Sequence, residues 1–139
     1  MSVTADTESE RLVLEFFATL STGNLEAVRE LLHEQATWTP QVRDVPGAGV
    51  HKGRRGIVDE FLQPVRGLFR PGDPKVIIDS VGSKGSLVFV ESHSDGKLAD
   101  GRPYENLYAW AVEVRDGKIF AIREYFDSHY VVGLFANPR

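Results

Sequence analysis

The segment at residues 101–127 constrains the fold of this chain more than any other. It reads GRPYENLYAWAVEVRDGKIFAIREYFD, two alternating apolar runs that meet at an Arg-Asp-Gly-Lys sequence at residues 115–118. Asp-Gly between two such runs predicts a tight hairpin turn, because glycine readily takes the positive φ angle that the turn needs. The segment therefore predicts two long antiparallel strands.

Side chains alternate between the two faces of a strand, so each strand of this hairpin has a predicted inner face. In the first strand that face carries Tyr104, Asn106, Tyr108, Trp110, Val112 and Val114, and in the second it carries Phe120, Ile122, Glu124 and Phe126. A carboxylate on an apolar face is costly to desolvate, and its pKa tends to rise. Glu124 is therefore the first candidate for a general acid or base.

Length and composition exclude several classes of protein. The chain has 139 residues, which predicts a single domain over 1–139 with a loose tail at 1–5. The formal net charge is −4 with no long basic cluster, which argues against binding to nucleic acid. No cysteine is present, so disulfides and thiol nucleophiles are excluded. The polar N-terminus resembles no signal peptide and no apolar run is long enough to span a membrane, which favours the cytoplasm.

The order of predicted elements is helices first and strands afterwards. Thr7 and Asn24 are suitable N-caps, and Gly23 between them suits a left-handed helix end. A loop is predicted at 41–52, a third helix follows from Gly53, and Pro64 should kink or end it. Strands are predicted at 36–39, 76–81 and 86–94, ahead of the hairpin. This order predicts an α+β fold, with helices packed inside a curved sheet that forms a cone open at one end.

Four short motifs carry a resemblance to a known family. They are GNLEAV at 23–28, GRRGI at 53–57, DGKI at 116–119 and REYFD at 123–127. With the element order, they resemble the nuclear transport factor 2-like superfamily and, within it, the SnoaL-like group. The resemblance implies a cone of three N-terminal helices on a curved antiparallel sheet, and a homodimer joined through that sheet. Because this fold hosts many activities, function depends on individual residues.

The resemblance to ketosteroid isomerases covers the fold but not the catalytic residues. Those enzymes carry a base Asp just before a proline at the end of the first strand, and here Thr39 precedes Pro40. Their oxyanion-hole residues fall near Phe16 or Phe17 and at Trp110. None of these positions has the required side chain, so ketosteroid isomerase activity is not expected.

Limonene-epoxide hydrolases use an Asp-Arg-Asp relay with a Tyr and an Asn that hold the water. The Arg and first Asp align here with Ser92 and Ser94, and the Tyr and Asn with Trp38 and Pro40. Only the last carboxylate remains, as Glu124. Epoxide hydrolysis by that relay is therefore not expected.

Two further groups of the superfamily place a working carboxylate at the position of Glu124. SnoaL-like polyketide cyclases have an acid–base Asp there, and small phenazine-biosynthesis proteins that promote imine condensation have a Glu. The latter also share Tyr104-Glu105-Asn106 with this chain, but their His and Ser on the third helix correspond to Glu60 and Pro64. The shared carboxylate favours acid–base chemistry, and the two replacements argue against the same substrate.

The resemblance also implies a set of residues that line the binding pocket. Together with the inner-face pattern it predicts substrate contacts from Trp38, Ser92, Asn106, Tyr108, Trp110 and Ile122. Within this set Asn106 would orient the substrate, and Tyr108 would donate to an oxygen anion. The alternative is that these residues form an ordinary core stripe, which is typical of aromatic residues in strands.

Two histidine-containing features have a structural alternative. Glu91 and His93 share one face of their strand and would make an acid–base dyad, but the family alignment places them on the outer face. His51 lies in a loop that would form the rim of the pocket. The histidines lack metal-ligand spacing, so no metal or other cofactor is predicted.

These observations predict a cofactor-independent enzyme in which Glu124 transfers a proton on a small apolar molecule that carries a carbonyl or other oxygen. Cyclisation, isomerisation, dehydration and condensation all fit that chemistry. The alternative is a non-catalytic ligand-binding or scaffold protein of the same fold, because only one carboxylate of the known relays remains. A protein-interaction module is a third alternative, although the sequence shows no extended apolar patch for it.

Overall fold

The computed structural model describes residues 3–136, so part of the predicted tail at 1–5 lies outside the described residues. The helices are α1 (Glu8–Ser21), α2 (Leu25–Leu31), α3 (Gly53–Ile57), α4 (Gln63–Arg66) and α5 (Ser128–Ala136). The strands are β1 (Leu32–Pro40), β2 (His51–Lys52), β3 (Lys75–Lys84), β4 (Leu87–Lys97), β5 (Pro103–Tyr104), β6 (Leu107–Arg115) and β7 (Lys118–Phe126). None of the helices in this part of the chain is long and apolar enough to cross a bilayer.

The predicted caps of the first two helices are confirmed. Thr7 Oγ1 accepts a hydrogen bond from the Glu10 backbone N–H at 3.1 Å, and Asn24 Oδ1 accepts one from Ala27 at 3.1 Å. Gly23 has a φ of 79° between the two helices. Caps of this kind satisfy backbone groups that have no partner within the helix, so α1 starts and ends, and α2 starts, where the sequence predicts.

One curved sheet wraps around the helices in the order β2-β1-β7-β6-β4-β3, with β5 paired to β4. The α+β cone predicted from the sequence is confirmed, but the pairing of β1 with β7 is parallel, so the sheet is mixed. No tight turn joins these two strands, and hairpin signals therefore say nothing about their relative direction. The concave face packs on α1 around Val13, Phe16 and Phe17, which are fully buried.

The predicted hairpin is present, with β6 and β7 joined at Asp116 and Gly117. Both residues have positive φ angles, 54° and 69°, as a two-residue turn that matches strand twist requires. Trp110 faces Glu124 across the pair, and Tyr108 faces Phe126. The hairpin therefore brings the predicted aromatic stripe and the predicted carboxylate together on the concave face.

The predicted inner face of β7 is wrong at Phe120. A bulge lies between the pairs Val114↔Ile119 and Glu113↔Ala121, and an extra residue reverses the alternation of side chains. Ile119 is consequently buried in the core, whereas the ring of Phe120 packs under the guanidinium of Arg115, 3.7 Å from the ring centroid. From Ile122 onward the predicted facing holds, so Glu124 still points inward.

The third helix continues past Pro64, contrary to the prediction of a kink or end there. Residues 58–62 form a π-helical turn between α3 and α4, and the Gln63 N–H donates to the Val58 carbonyl five residues back. The backbone hydrogen bonds change from the α-helical to the π-helical pattern at this turn. Pro64, which has no N–H to donate, lies where this change occurs, and the helix therefore continues past it. The helix then runs on to Arg66 at the mouth of the cone.

The facing of β4 agrees with the family alignment. Ser92 and Ser94 are buried, and Glu91 is exposed on the outer face. His93 Nδ1 lies 2.9 Å from the carboxylate of Asp79, and Glu91 accepts from Ser80 instead. Glu91 and His93 therefore have separate partners and do not form a dyad, and His93 is also among the residues that line the cavity on the concave side.

The outer face of the sheet carries an exposed apolar patch that the sequence did not show. It consists of Ile77, Phe89, Leu107 and Tyr125, which are 39–67% exposed. These residues lie on four different strands, and strand pairing places them on one face around His93, Ala109 and Ala111. An exposed patch of large apolar side chains on a folded domain is typical of an interaction surface.

Candidate functional site

A cavity of about 110 Å³ lies between the concave face of the sheet and the third helix. Its wall is mainly apolar and contains the aromatic rings of Trp38, Phe61, Phe69, Tyr104, Tyr108, Trp110, Phe126 and Phe135. Val131 and Phe135 of α5 also line it, so this apolar C-terminal helix forms part of the cavity wall. The volume is close to the ~150 Å³ of an apolar cavity that holds one benzene ring.

Glu124 is the one carboxylate among the described residues that line this cavity. Its Oε1 accepts a hydrogen bond from Trp38 Nε1 at 2.8 Å. No ion pair within residues 3–136 involves it, because the neighbouring Arg123 pairs with Glu113 at 3.1 Å on the opposite face. Burial raises the pKa of Glu124 to about 7, against the smaller lowering effect of the Trp38 bond. The rise predicted from the sequence is confirmed.

Trp38 is held in place by three rings. Its indole lies 5.3 Å from the Phe61 ring, 5.7 Å from Trp110 and 6.0 Å from Phe16, all in edge-on or tilted geometries. Such arrangements stabilise aromatic pairs beyond the area they bury. Trp38 therefore presents its N–H to Glu124 from a fixed position.

A chain of polar groups lies beside Glu124. Tyr108 and Tyr104 have hydroxyl oxygens 2.6 Å apart, and Asn106 Nδ2 donates to the Tyr104 hydroxyl at 3.1 Å. Asn106 is itself fixed, because its Oδ1 accepts from the Leu107 N–H and its Nδ2 also donates to the Asp127 carbonyl. Burial and the negative charge of Glu124 both raise the pKa of Tyr108, so its hydroxyl stays protonated.

Three of the residues predicted to contact substrate do not line the cavity. Ser92 accepts a hydrogen bond from Trp110 Nε1 at 2.9 Å, and Asn106 holds Tyr104. Ile122 is fully buried in the core. In this structure these side chains support the cavity wall from behind, in place of the direct contact expected from the sequence. Trp38, Tyr108, Trp110 and Glu124 do line the cavity, and their roles toward a substrate stay predictions.

The third helix presents different residues from those that the family alignment indicated. Glu60 is exposed and lies 3.5 Å from Arg55, and Pro64 is also exposed. The cavity-facing residues are the following positions, Phe61 and Val65. The π-helical turn shifts the face of the helix in this region, a change that spacing counted on a regular helix does not reveal.

Arg66 is a charged residue of the cavity that the sequence analysis did not predict. It ends α4, is half-buried, and lines the cavity with Val65 and Pro74. Burial lowers the pKa of its guanidinium. The signal available in the sequence was the position of this arginine, directly after the apolar face of the helix that closes the cone.

His51 is part of the support of the rim. Its ring stacks on Phe61 at 4.1 Å, and its Nε2 donates to the Gly47 carbonyl at 2.6 Å. It is not among the described residues that line the cavity, so the predicted substrate contact is not seen. Within residues 3–136 no three His, Asp or Glu side chains gather as metal ligands would, and the prediction of a cofactor-free site stays untested.

The sequence was compared with families of known proteins. Residues 13–122 match the profile of the SnoaL-like domain, which is most of the chain. The chain belongs to the SnoaL-like domain family. No curated protein matches this SnoaL-like protein.

Solved structures agree on the fold of this SnoaL-like protein. TerC, crystallised with polyporic acid, superposes with a TM-score of 0.79 at 19% identity, over 92% of this chain and 100% of TerC. A nuclear transport factor 2-like protein from Burkholderia pseudomallei gives 0.82 at 16% identity, over 94% and 99%. A proposed isomerase from Bacillus subtilis gives 0.76 at 22% identity, over 94% of each chain. At these identities the likeness establishes the fold alone.

Proposed function

We propose that this SnoaL-like protein is an enzyme that moves a proton on a small cyclic or aromatic carbonyl compound, with Glu124 as the acid–base group. The observation that carries this proposal is a single carboxylate without an ion-pair partner in an aromatic cavity, with a pKa of about 7. A group with that pKa is populated in both protonation states near neutral pH, which suits general acid–base catalysis.

In the proposed step the Glu124 carboxylate takes a proton from the carbon next to a carbonyl, and the C–H electron pair moves to form an enolate. In a substrate that also carries a C=C bond next to this carbon, the enolate extends over that bond. The protonated Glu124 then returns the proton to the far carbon of the bond, so the product is an isomer and no other reactant is consumed. In a cyclisation or condensation the enolate carbon would instead attack a second carbonyl carbon of the substrate, and the alkoxide that forms would take the proton from Glu124. A positioned acid–base group of this kind contributes about 10²–10⁴-fold to rate.

Tyr108 is the proposed donor to the enolate oxygen. Tyr104 already accepts from Asn106, and when it donates to Tyr108 the hydroxyl proton of Tyr108 is left for an oxygen in the cavity. A chain of hydrogen bonds polarises each donor in turn. The raised pKa of Tyr108 keeps it neutral beside Glu124, as a donor must be.

The lining limits the size and polarity of the substrate. A cavity of about 110 Å³ with an open mouth accommodates roughly one ring inside, with further groups at the mouth. Aromatic walls favour a planar, apolar ring. TerC, a structural neighbour, was crystallised with polyporic acid, and this supports an organic ligand for a protein of this fold.

The test uses 1-indanone, a small ketone whose five-membered ring is fused to one benzene ring and which has exchangeable protons next to its carbonyl. In D2O the loss of those proton signals by NMR reports proton abstraction directly. We expect the protein to accelerate exchange, Glu124→Gln to reduce the acceleration by about 10²-fold or more, and Tyr108→Phe to reduce it less. Glu91→Gln removes an exposed carboxylate on the outer face and is the matched control. This variant should accelerate the exchange of the 1-indanone protons as much as the unmodified protein does.

The second candidate function is ligand binding without catalysis. Two observations favour it. The hydrogen bond from Trp38 occupies one oxygen of Glu124, and among residues 3–136 no second carboxylate lines the cavity to complete a relay. The test is carried out between pH 6 and 9, a range of about one to two units around the Glu124 pKa. If 1-indanone binds but its exchange is not accelerated at any pH in this range, the result would support ligand binding over catalysis.

We also propose that the protein is a homodimer joined through the outer face of the sheet. The exposed apolar patch of Ile77, Phe89, Leu107 and Tyr125 supplies the surface for it. A two-fold dimer needs one self-complementary patch, and this face also offers the paired charges of Arg123 and Glu113. The SnoaL-like resemblance favours the same face.

A further inference from the structure

Arg66 is a cation that lines the cavity with few partners of its own. Its Nη2 donates to the Pro74 carbonyl at 3.4 Å, a long hydrogen bond. Guanidinium has five N–H donors, so most of its capacity is unused by this bond. Pro74 lines the cavity too, which places the guanidinium at the cavity wall.

The charge of Arg66 is not neutralised by the described part of the chain. No carboxylate of residues 3–136 lies within ion-pair distance of it. Asp73 acts on it only from a distance, because the Asp73 carboxylate accepts from the Lys97 backbone N–H at 3.0 Å. Glu124 has Trp38 as its partner and takes no stabilisation from Arg66.

Keeping an unpaired cation at a mainly apolar wall is costly. Leu68, Phe69 and Val76 line the cavity close to Arg66 in the sequence or in the adjoining strand, and they offer no polar atom to it. A half-buried guanidinium without a counter-ion loses hydration that no fixed partner replaces. An anion that enters the cavity would restore that interaction.

We propose that Arg66 binds an anionic oxygen of the substrate, so that the substrate class is a small cyclic or aromatic carbonyl compound bearing a carboxylate. The planar fork of guanidinium matches a carboxylate with two parallel N–H···O bonds. The inference rests on the proposed function, since Glu124 would act on the same molecule. Arg66 and Glu124 form no ion pair, so the carboxylate and the reacting carbon would lie at separate parts of the molecule.

A purely structural role is the competing explanation. Arg66 would then serve only to clamp the connection before β3 through the Pro74 carbonyl. A structural clamp and an anion site differ in one observable respect. Removing a clamp lowers stability and weakens charged and neutral ligands equally, whereas removing an anion site weakens only the charged ligand.

The test compares benzoate with benzamide, which has the same ring and a neutral head. Both tryptophans of the chain, Trp38 and Trp110, line the cavity, so intrinsic tryptophan fluorescence reports binding there. At constant ionic strength we expect the protein to bind benzoate about tenfold to a hundredfold more tightly than benzamide. Arg66→Met should remove this preference, and Arg66→Lys should keep part of it.

Two control variants separate this inference from the proposed function. Arg55→Met removes a cation from the same helix at a side chain that is 85% exposed, and it should keep the full preference. Glu124→Gln should also keep it, because the anion binds to Arg66. The inference is overturned by equal binding of the two ligands, by no binding of either at millimolar concentrations, or by an undiminished preference in folded Arg66→Met. Indanone exchange that persists alongside any of these results leaves the proton-transfer proposal intact.

Discussion

The indole Nε1 of Trp38 donates to Glu124 Oε1 across 2.8 Å, from a parallel strand 86 residues away in the sequence. This bond lowers the pKa of Glu124, and burial raises it by more, so that the pKa lies at about 7. The acid–base group of the cavity therefore depends on two segments that no local pattern connects. Without this donor the pKa of the carboxylate would lie higher still.

Replacing Trp38 with Phe should raise the pKa of Glu124 further above 7, because the bond that favours the ionised form is lost while burial remains. Carbon-detected NMR titration of the Glu124 carboxyl carbon measures this value, with Glu124→Gln as the assignment control. A pKa that falls in Trp38→Phe would contradict this account and would indicate that water enters the space left by the indole.

The stability of the fold should fall as pH rises from about 4.5 to about 7, and then level off as far as Glu124 is concerned. The native pKa is raised, so between these values the unfolded chain releases a proton that the native state retains, and ionisation favours unfolding. The full effect amounts to about 3 kcal/mol. Urea unfolding at several pH values measures it.

Glu124→Gln should remove that part of the pH dependence and be more stable than the unmodified protein above pH 7, because the amide is neutral and still accepts from Trp38. Glu91→Gln, on the exposed outer face, is the matched control and should follow the unmodified protein. Identical pH profiles for Glu124→Gln and the unmodified protein would show that Glu124 has an ordinary pKa.

The bulge in β7 makes a prediction about two adjacent residues. Ile119→Ala should cost about 2–5 kcal/mol of unfolding free energy, because it opens a cavity in the core. Phe120→Ala should cost about 1 kcal/mol, since it loses only the half-buried contacts with Arg115 and His33. Urea denaturation of both variants checks the order. The reverse order would mean that the strand is regular and that Phe120 faces the core.

The outer-face patch predicts the state of assembly. Phe89→Glu should convert a dimer to a monomer, because it replaces a large apolar side chain of the patch with a charge. Light scattering coupled to size-exclusion chromatography measures the mass of each form. Lys84→Glu, an exposed position at the end of β3, serves as the control for added negative charge. A monomeric unmodified protein would contradict the proposed dimer.

Features that depend on neighbours in the sequence could be predicted from it. The Asp116-Gly117 turn, the Thr7 and Asn24 caps and the inward direction of Glu124 follow from local φ preferences, capping and alternation over a few residues. Alternation failed at Phe120, because a bulge is set by how two strands pair and not by either strand alone. The prediction of which residues of the third helix face the cavity near Phe61 failed for a similar reason, since the π-helical turn changes the helical period.

The sequence by itself determined the α+β cone, the family and the carboxylate at its centre. Tertiary structure decided which side chains reach the cavity. Arg66 lines its wall, whereas Ser92, Asn106 and Ile122 lie behind that wall. It also brought the Trp38 indole to the Glu124 carboxylate. The physical reason is the range of the interactions. Turns and caps act within a few residues, whereas desolvation and hydrogen bonding in a cavity depend on groups that only the folded chain brings together.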